Sequence, residues 1–356
     1  MMKGRYFWYR RILTMAVIAL SMVLFSAEYT KHQERQILDV TLDGTKIYVG
    51  GFNVGIYLET EGVLVVGTDV VTGQDGINYD PAYGKIKEGD YIVALNDKNV
   101  GAKSQLAFLV NKYGHKDIIL TIRRGDEEMD VKISPVKVGK DEYKLGVWVK
   151  DDSQGIGTLT YIMGNGEFGA LGHGISDPDT KKLLGSDTGR IYVAKIWGIT
   201  KGRSGSPGSL CGTINYDDSM ILGQINDNCN KGIYGNISSY KTVAELAEEY
   251  NLQPAAVCAK KDVKVGKAYI RCAVDGQIKD YEVEITELKK NTTGNKGIVL
   301  KVVDEELLAL TGGIVQGMSG SPILQDGKIV GAVTHVFVRD SKLGYGIFIE
   351  EMLDKK

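Results

Sequence analysis

The chain has 356 residues, room for two domains and a tail, and its 43 Lys and Arg against 45 Asp and Glu give a formal net charge of -2. No basic block follows the first dozen residues, so the electrostatic footprint of a nucleic-acid binder is missing and a protein partner is expected instead. With 45 glycines, 6 prolines and many short runs rich in Val, Ile, Thr and Tyr, the chain reads as mainly β with tight turns.

At the N-terminus Lys3, Arg5, Arg10 and Arg11 precede an uncharged run from Ile12 to Ala27. That run lies at the short edge of the ~17–25 residues that span hydrocarbon, with Trp8 and Tyr9 placed for the interface. A cleavable signal would carry small residues at an A-x-A site, and Phe25-Ser26-Ala27 sets a ring there. Residues 1–30 are therefore expected to form an uncleaved anchor with its basic end cytoplasmic, a signal peptide being the alternative. A polar stalk, Glu28 to Asp39, follows.

From 40 to 136 the pattern is one of short strands (KIYVGG, VGIYL, GVLVVG, DYIVALN, DIILTIRR, MDVKISPV), interrupted by a helix predicted from Ala102 to Tyr113. From 137 to 356 the strands continue (LGVWVK, GTLTYIM, IYVAKIW, MILGQI, KAYIRCAV, YEVEITEL, GIVLKVV, KIVGAVTHVFV, GYGIFIE), with helices predicted from Ser238 to Tyr250 and Asp304 to Leu310. Many short strands with glycine turns and no βαβ alternation predict a barrel or paired barrels.

The reactive chemistry is carried by GxSGSP, present at Gly202–Pro207 and again at Gly317–Pro322. A serine flanked by glycines can meet a carbonyl unobstructed, and neighbouring backbone N–H groups can stabilise an oxyanion. Pro322 and further strand follow the second copy, which disfavours an α/β-hydrolase elbow. The hairpin sequence ILQDGKIVGAVTHVFV behind it favours Ser319 as nucleophile, with Ser204 the rival and Ser321 a loop hydrogen-bonder. Of four histidines, His32 lies in the stalk, His115 at a turn and His335 mid-strand. His173, between two glycines in ALGHGISD, has the exposure of a proton shuttle. Cys211, Cys229, Cys258 and Cys272 form no CxxC or His-spaced ligand set, so a zinc site is not expected, and acyl transfer by a serine implies no metal or organic cofactor. In an exported protein Cys211 and Cys229 are permitted to pair, while small buried hydrophobes is at least as good a reading.

The stretch DPAYGKIKEGDYIVALNDKNV, the helix after it and IILTIRRGDEE resemble the PDZ domain of bacterial proteases, with Asp97 where the usual turn has glycine. That resemblance implies a peptide adding as a strand beside an edge strand, its C-terminal carboxylate bound by the loop before that strand, Phe52, Asn53, Val54, Gly55 and Ile56, with the helix carrying Leu106 and Leu109 as the groove's other wall. Over nearly its whole length, through ALGHGISD, TGGIVQGMSGSPILQDGKIVGAVTHVFV and GYGIFIEEML, the chain resembles the stage IV sporulation protein B peptidase family. The family resemblance implies an anchor at 1–30, a PDZ domain at 40–136 and a chymotrypsin-like serine peptidase domain at 137–356. It also implies catalytic His173 and Ser319 with Asp304 as the aspartate, whereas two-barrel logic points to Asp187 or Asp227. By analogy with Gly-x-Ser sites, the N–H groups of Gly317 and Ser319 form the oxyanion hole. The implied role is a membrane-anchored peptidase between forespore and mother cell, also self-cleaving. Its substrate would be a membrane-bound regulator of an intramembrane metalloprotease, which then activates the sigma-K precursor. A general exported quality-control protease and a non-catalytic PDZ adaptor are the alternatives.

Overall fold

The computed structural model describes residues 47–186, 188–238 and 241–354. The anchor at 1–30, the stalk and His32 lie outside the described residues. Among those described, no helix is long and apolar enough to cross a membrane.

The chain begins with β1 (Ile47–Val49) and β2 (Asn53–Thr68), continues through β3 (Tyr91–Leu95), α1 (Lys103–Tyr113), β4 (Ile118–Arg124) and β5 (Glu127–Ile133), and returns along β6 (Val147–Met163). There follow β7 (Glu167–Ala170), β8 (Gly189–Thr200), β9 (Ser209–Ile214), β10 (Ile221–Cys229), β11 (Gly232–Ile237) and α2 (Val243–Glu249). The C-terminal part comprises β12 (Gly266–Cys272), β13 (Lys279–Leu288), β14 (Ile298–Val302), α3 (Glu305–Thr311), β15 (Pro322–Gln325), β16 (Lys328–Phe337), β17 (Asp340–Phe348) and α4 (Ile349–Leu353).

The pairings resolve into two antiparallel barrels. In the first, β2, β6, β7, β11, β10 and β8 pair in that order and β8 returns to β2. In the second, β12, β13, β14, β17, β16 and β15 form a closed barrel. Each has its own core, one around Leu58, Phe168, Ile191 and Ile233, the other around Ile270, Val283, Leu300 and Val333. Paired barrels are what the short strands and glycine turns predict. The hairpin behind Ser319 closes as DG pairs do, with Asp326 and Gly327 both left-handed at φ 52 and 75.

A third core, around Val63, Ile92, Leu106, Leu120 and Ile133, fills a lobe built on α1, β3, β4 and β5. This lobe is spliced into the first barrel. β2, 16 residues long, and β6, 17 residues long, each run through both bodies. Their apolar pattern lapses at Glu59–Gly62 and Asp151–Gln154, where the pairing also shifts register between Lys150 and Asp152. There the strands pass from one core to the other, so the cores do not divide at residue 136. Asn96 and Asp97 share the left-handed turn where glycine is usual, a conformation both residue types tolerate.

Asn53–Ile56 are not an open edge. They pair with Gly155–Thr158 of β6 on one side, and Val54–Ile56 pair with Ile191–Val193 of β8 on the other. A strand with both ladders filled has no backbone groups left for an added peptide, and its side chains Val54 and Ile56 belong to the first-barrel core. The corresponding edge in the lobe, Leu64–Thr68, is itself covered by Val147–Lys150. Helix α1 starts one residue later than expected. Helix α2 starts at Val243 because Thr242 and Glu245 form a reciprocal capping box, which outcompetes Ser238; Ser239 lies outside the described residues. All four cysteines are free thiols.

A Cβ on Gly55 would stand 2.5 Å from the Ile214 side chain. Gly55→Val is therefore expected to destabilise the whole fold by about 1–3 kcal/mol through overpacking. Urea unfolding midpoints of variant and parent check this.

Candidate active site

The loop between α3 and β15 is plugged into the second barrel by Ile314, Val315 and Met318, all essentially fully buried. These apolar anchors turn the intervening Gln316–Gly317 and Ser319–Gly320 toward the first barrel, which supplies their polar partners. Thr158 Oγ1 donates to the Gly317 carbonyl at 2.9 Å, the Thr158 N–H donates to the Ser319 carbonyl at 2.9 Å, and Thr160 Oγ1 donates to the Gly320 carbonyl at 2.8 Å. The Gln316 carbonyl accepts from the Leu210 N–H at 2.8 Å and that of Met318 from the Ser321 N–H at 3.0 Å. Every carbonyl from Gln316 to Gly320 is thus engaged, which fixes the peptide planes. The backbone N–H groups of Gly317 and Ser319 have no partner among the described residues. Gly320 is required by close approach: at φ 94 a Cβ there would stand 2.0 Å from the Thr158 carbonyl oxygen.

His173 is presented by the turn after β7. Leu171 and Gly172 both take φ 69, and a Cβ on Gly172 would press on Thr334 and Ile347 of the second barrel at 2.9 Å. The loop beyond is pinned by Asn228 of β10, whose Oδ1 accepts from the Ile175 N–H at 2.8 Å and whose Nδ2 donates to the carbonyls of Ile175 and Leu184. His173 Nδ1 lies 2.8 Å from the Gly174 carbonyl. A carbonyl only accepts, so Nδ1 carries the proton and Nε2 keeps its lone pair. Burial lowers the imidazole pKa below its ordinary value, with the Gly174 contact opposing it.

Ser319 Oγ donates to the Thr334 carbonyl at 2.9 Å. The next residue, His335, stacks against His173 with ring centroids 4.8 Å apart and planes inclined by 38°. Its Nδ1 is buried without a hydrogen-bond partner, a condition that typically costs about 1–3 kcal/mol. Burial, followed by the neighbouring His173 and Lys296, pushes the His335 pKa down to about 4. The fold thus gathers a serine, two imidazoles and two unpaired backbone donors at the seam of the barrels.

The sequence profile of the family described as SpoIVB peptidase S55 matches residues 141–353. The chain belongs to this family. It is a serine peptidase. Among solved structures it is similar to the active form of the Rv3671c protease from M. tuberculosis, at 14% identity and a TM-score of 0.31, covering 57% of this chain and 73% of that one. It is also similar to the HtrA-type protease AlgW with a decapeptide, at 11% identity and a TM-score of 0.31, covering 61% of this chain and 54% of that one. A serine-to-alanine variant of AlgW gives 10% identity and a TM-score of 0.34, covering 85% of this chain and 61% of that one. No curated protein sequence matches the chain.

Within this S55 peptidase the other expected site residues lie apart from the seam's hydrogen bonds. Asp304 caps α3: its Oδ1 accepts from the Leu307 N–H at 2.9 Å and its Oδ2 from the Glu282 N–H at 3.2 Å, and it makes no hydrogen bond to His173. The residue that the family resemblance assigns as aspartate is held here by the helix start it also signals in sequence. Asp227 lies on β10 opposite Tyr234, and Asp187 lies outside the described residues. Ser204 sits at the tip of the β8–β9 hairpin, with its hydroxyl donated to the Arg339 carbonyl at 2.8 Å. Ser321 is fully buried beside Cys272, and His115 is exposed. Sequence reasoning missed Thr158, Thr160, Asn228 and the proximity of His335. A cleft of about 640 Å³ borders Gly317, lined by Ile156, Trp197, Leu210, Ile214 and Tyr216.

Thr158→Val removes the donor on the Gly317 carbonyl while keeping the strand's shape. It is expected to cost about 1–3 kcal/mol of stability by leaving a buried acceptor unpaired, and to lower kcat/KM more than KM as Gly317 swings. Steady-state kinetics beside urea unfolding check both.

Proposed function

We propose that Ser319 is the nucleophile of an acyl-transfer peptidase, with His173 as general base and then acid and the N–H groups of Gly317 and Ser319 as oxyanion donors. The observation that carries this reading is the loop in which every carbonyl from Gln316 to Gly320 is taken while those two N–H groups are free, beside an imidazole whose Nε2 is unprotonated. The Ser319 hydroxyl turns from the Thr334 carbonyl to His173 Nε2, which takes its proton as Oγ bonds to the substrate carbonyl carbon. The oxyanion collects the two N–H groups. As the C–N bond breaks, His173 returns the proton to the leaving amine, and water repeats the sequence to free the acid and restore Ser319. The cleft beside Gly317 accommodates a substrate side chain.

Labelling by a fluorophosphonate is expected to map to Ser319, to vanish in Ser319→Ala and to fall by several orders of magnitude in His173→Ala. Ser204→Ala is expected to label like the parent; loss in that variant alone would move the nucleophile to Ser204. Activity needs neutral His173, so it is lost as pH falls through the His173 pKa. Because burial lowers that pKa, the acid limb of the labelling rate is expected below the ordinary ~6.5. A limb above it overturns the assignment.

The physiological role we propose is cleavage, outside the cytoplasm and from a membrane tether, of a membrane-bound regulator of an intramembrane metalloprotease, leading to activation of the sigma-K precursor, together with self-cleavage. Membership of the SpoIVB peptidase family and the basic-then-apolar N-terminus support it. A sporulating strain carrying Ser319→Ala is expected to leave the sigma-K precursor unprocessed. Normal processing in that strain would refute the role, and broad degradation of unfolded casein by the purified parent would favour quality control.

A further inference from the structure

We propose that His335 is a positioning residue for His173, its Nδ1 lone pair supporting the imidazolium that forms when His173 takes the serine proton. The proposal rests on the assignment of Ser319 and His173 above and adds a third side chain to it. Three observations converge on His335. It follows Thr334, whose carbonyl holds the Ser319 hydroxyl. Its ring lies against His173 at 4.8 Å between centroids. Its Nδ1 is sealed from solvent and hydrogen-bonded to nothing.

A buried nitrogen without a partner is an anomaly in a packed strand, where an apolar side chain would fill the same space with no such loss. No carboxylate hydrogen-bonds His173 among the described residues; its Nδ1 is taken by the Gly174 carbonyl. Protonated His173 would therefore be a cation in a buried seam with one backbone carbonyl for support. The groups around His335 are His173 from the turn after β7, Lys296 from the loop before β14, and Tyr345 directly across on β17, over whose ring Lys289 and Lys296 stand. None is acidic. His335 stays neutral in this surrounding, so it offers the imidazolium a lone pair and no opposing charge. The unpaired acceptor of the resting enzyme then finds its use when positive charge develops on the adjacent ring.

The test compares His335→Phe, which keeps a ring and loses the lone pair, with His335→Asn, whose amide oxygen falls near the Nδ1 position. Full-length protein is used, with thermal melting confirming that each variant is folded. His335→Phe is expected to lower kcat/KM roughly 10- to 100-fold with KM nearly unchanged. It should also move the acid limb to lower pH, because an imidazolium without the neighbouring lone pair loses its proton more readily. His335→Asn is expected to stay within several-fold of the parent, with the limb restored toward it. Parent-like rate and limb in His335→Phe would overturn the proposal, as would equal loss in both folded variants. Failure of the underlying assignment shows separately, as parent protein that is not labelled at Ser319 or as His173→Ala labelled at the parent rate.

Discussion

The geometry of the candidate active site depends on hydrogen bonds that one barrel lends to the other. The Gln316–Gly320 loop belongs to the second barrel, yet its carbonyls at Gly317, Ser319 and Gly320 are satisfied by Thr158 and Thr160 on β6 of the first. The loop alone could not hold this shape, because burying those acceptors unpaired would be costly. The glycine after the serine serves the same contact: its missing side chain lets the two backbones approach, a role distinct from clearing space for substrate. On the proposed assignment, the reactivity of Ser319 is a property of the seam.

The candidate site stood out in the sequence because it rests on rare residues in unusual settings. Four histidines and a repeated GxSGSP leave few combinations: the His173 ring lies against His335, and the Ser319 hydroxyl donates to the carbonyl of Thr334, the residue before His335. The supporting residues were illegible for the opposite reason. Thr158 and Thr160 sit in TLTYIM, where threonine reads as ordinary strand propensity, and His335 sits mid-strand, where only pairing across the seam reveals its neighbour. Whether Asn53–Ile56 is an edge or a central strand is likewise a fact of pairing, invisible to local pattern. The start of α2 was different: T-V-A-E spells a capping box that the preceding serines obscured.

The structure leaves the Ser319 hydroxyl satisfied without committing it to the proposed base. Its acceptor is the Thr334 carbonyl, so the proposed engagement of His173 exchanges one hydrogen bond for another. Burial meanwhile lowers the imidazole pKa, which favours the form that can accept a proton. Among the described residues no acidic neighbour is hydrogen-bonded to the ring, whose shift comes from desolvation.

The splice of the lobe into the first barrel carries a modular consequence. Leu58 lies beside Ser153 and Glu59 beside Asp152 across the β2–β6 ladder, so the lobe leaves and re-enters the barrel at adjacent points. Topologically it is an enlarged hairpin tip: a tight turn joining those two positions would close the same barrel. A body grafted at such a place adds little chain-closure entropy to its host, because its ends already meet. Its two stems are also the strands that feed the barrel's interior, so the graft and its host share one twist and one register along β2 and β6.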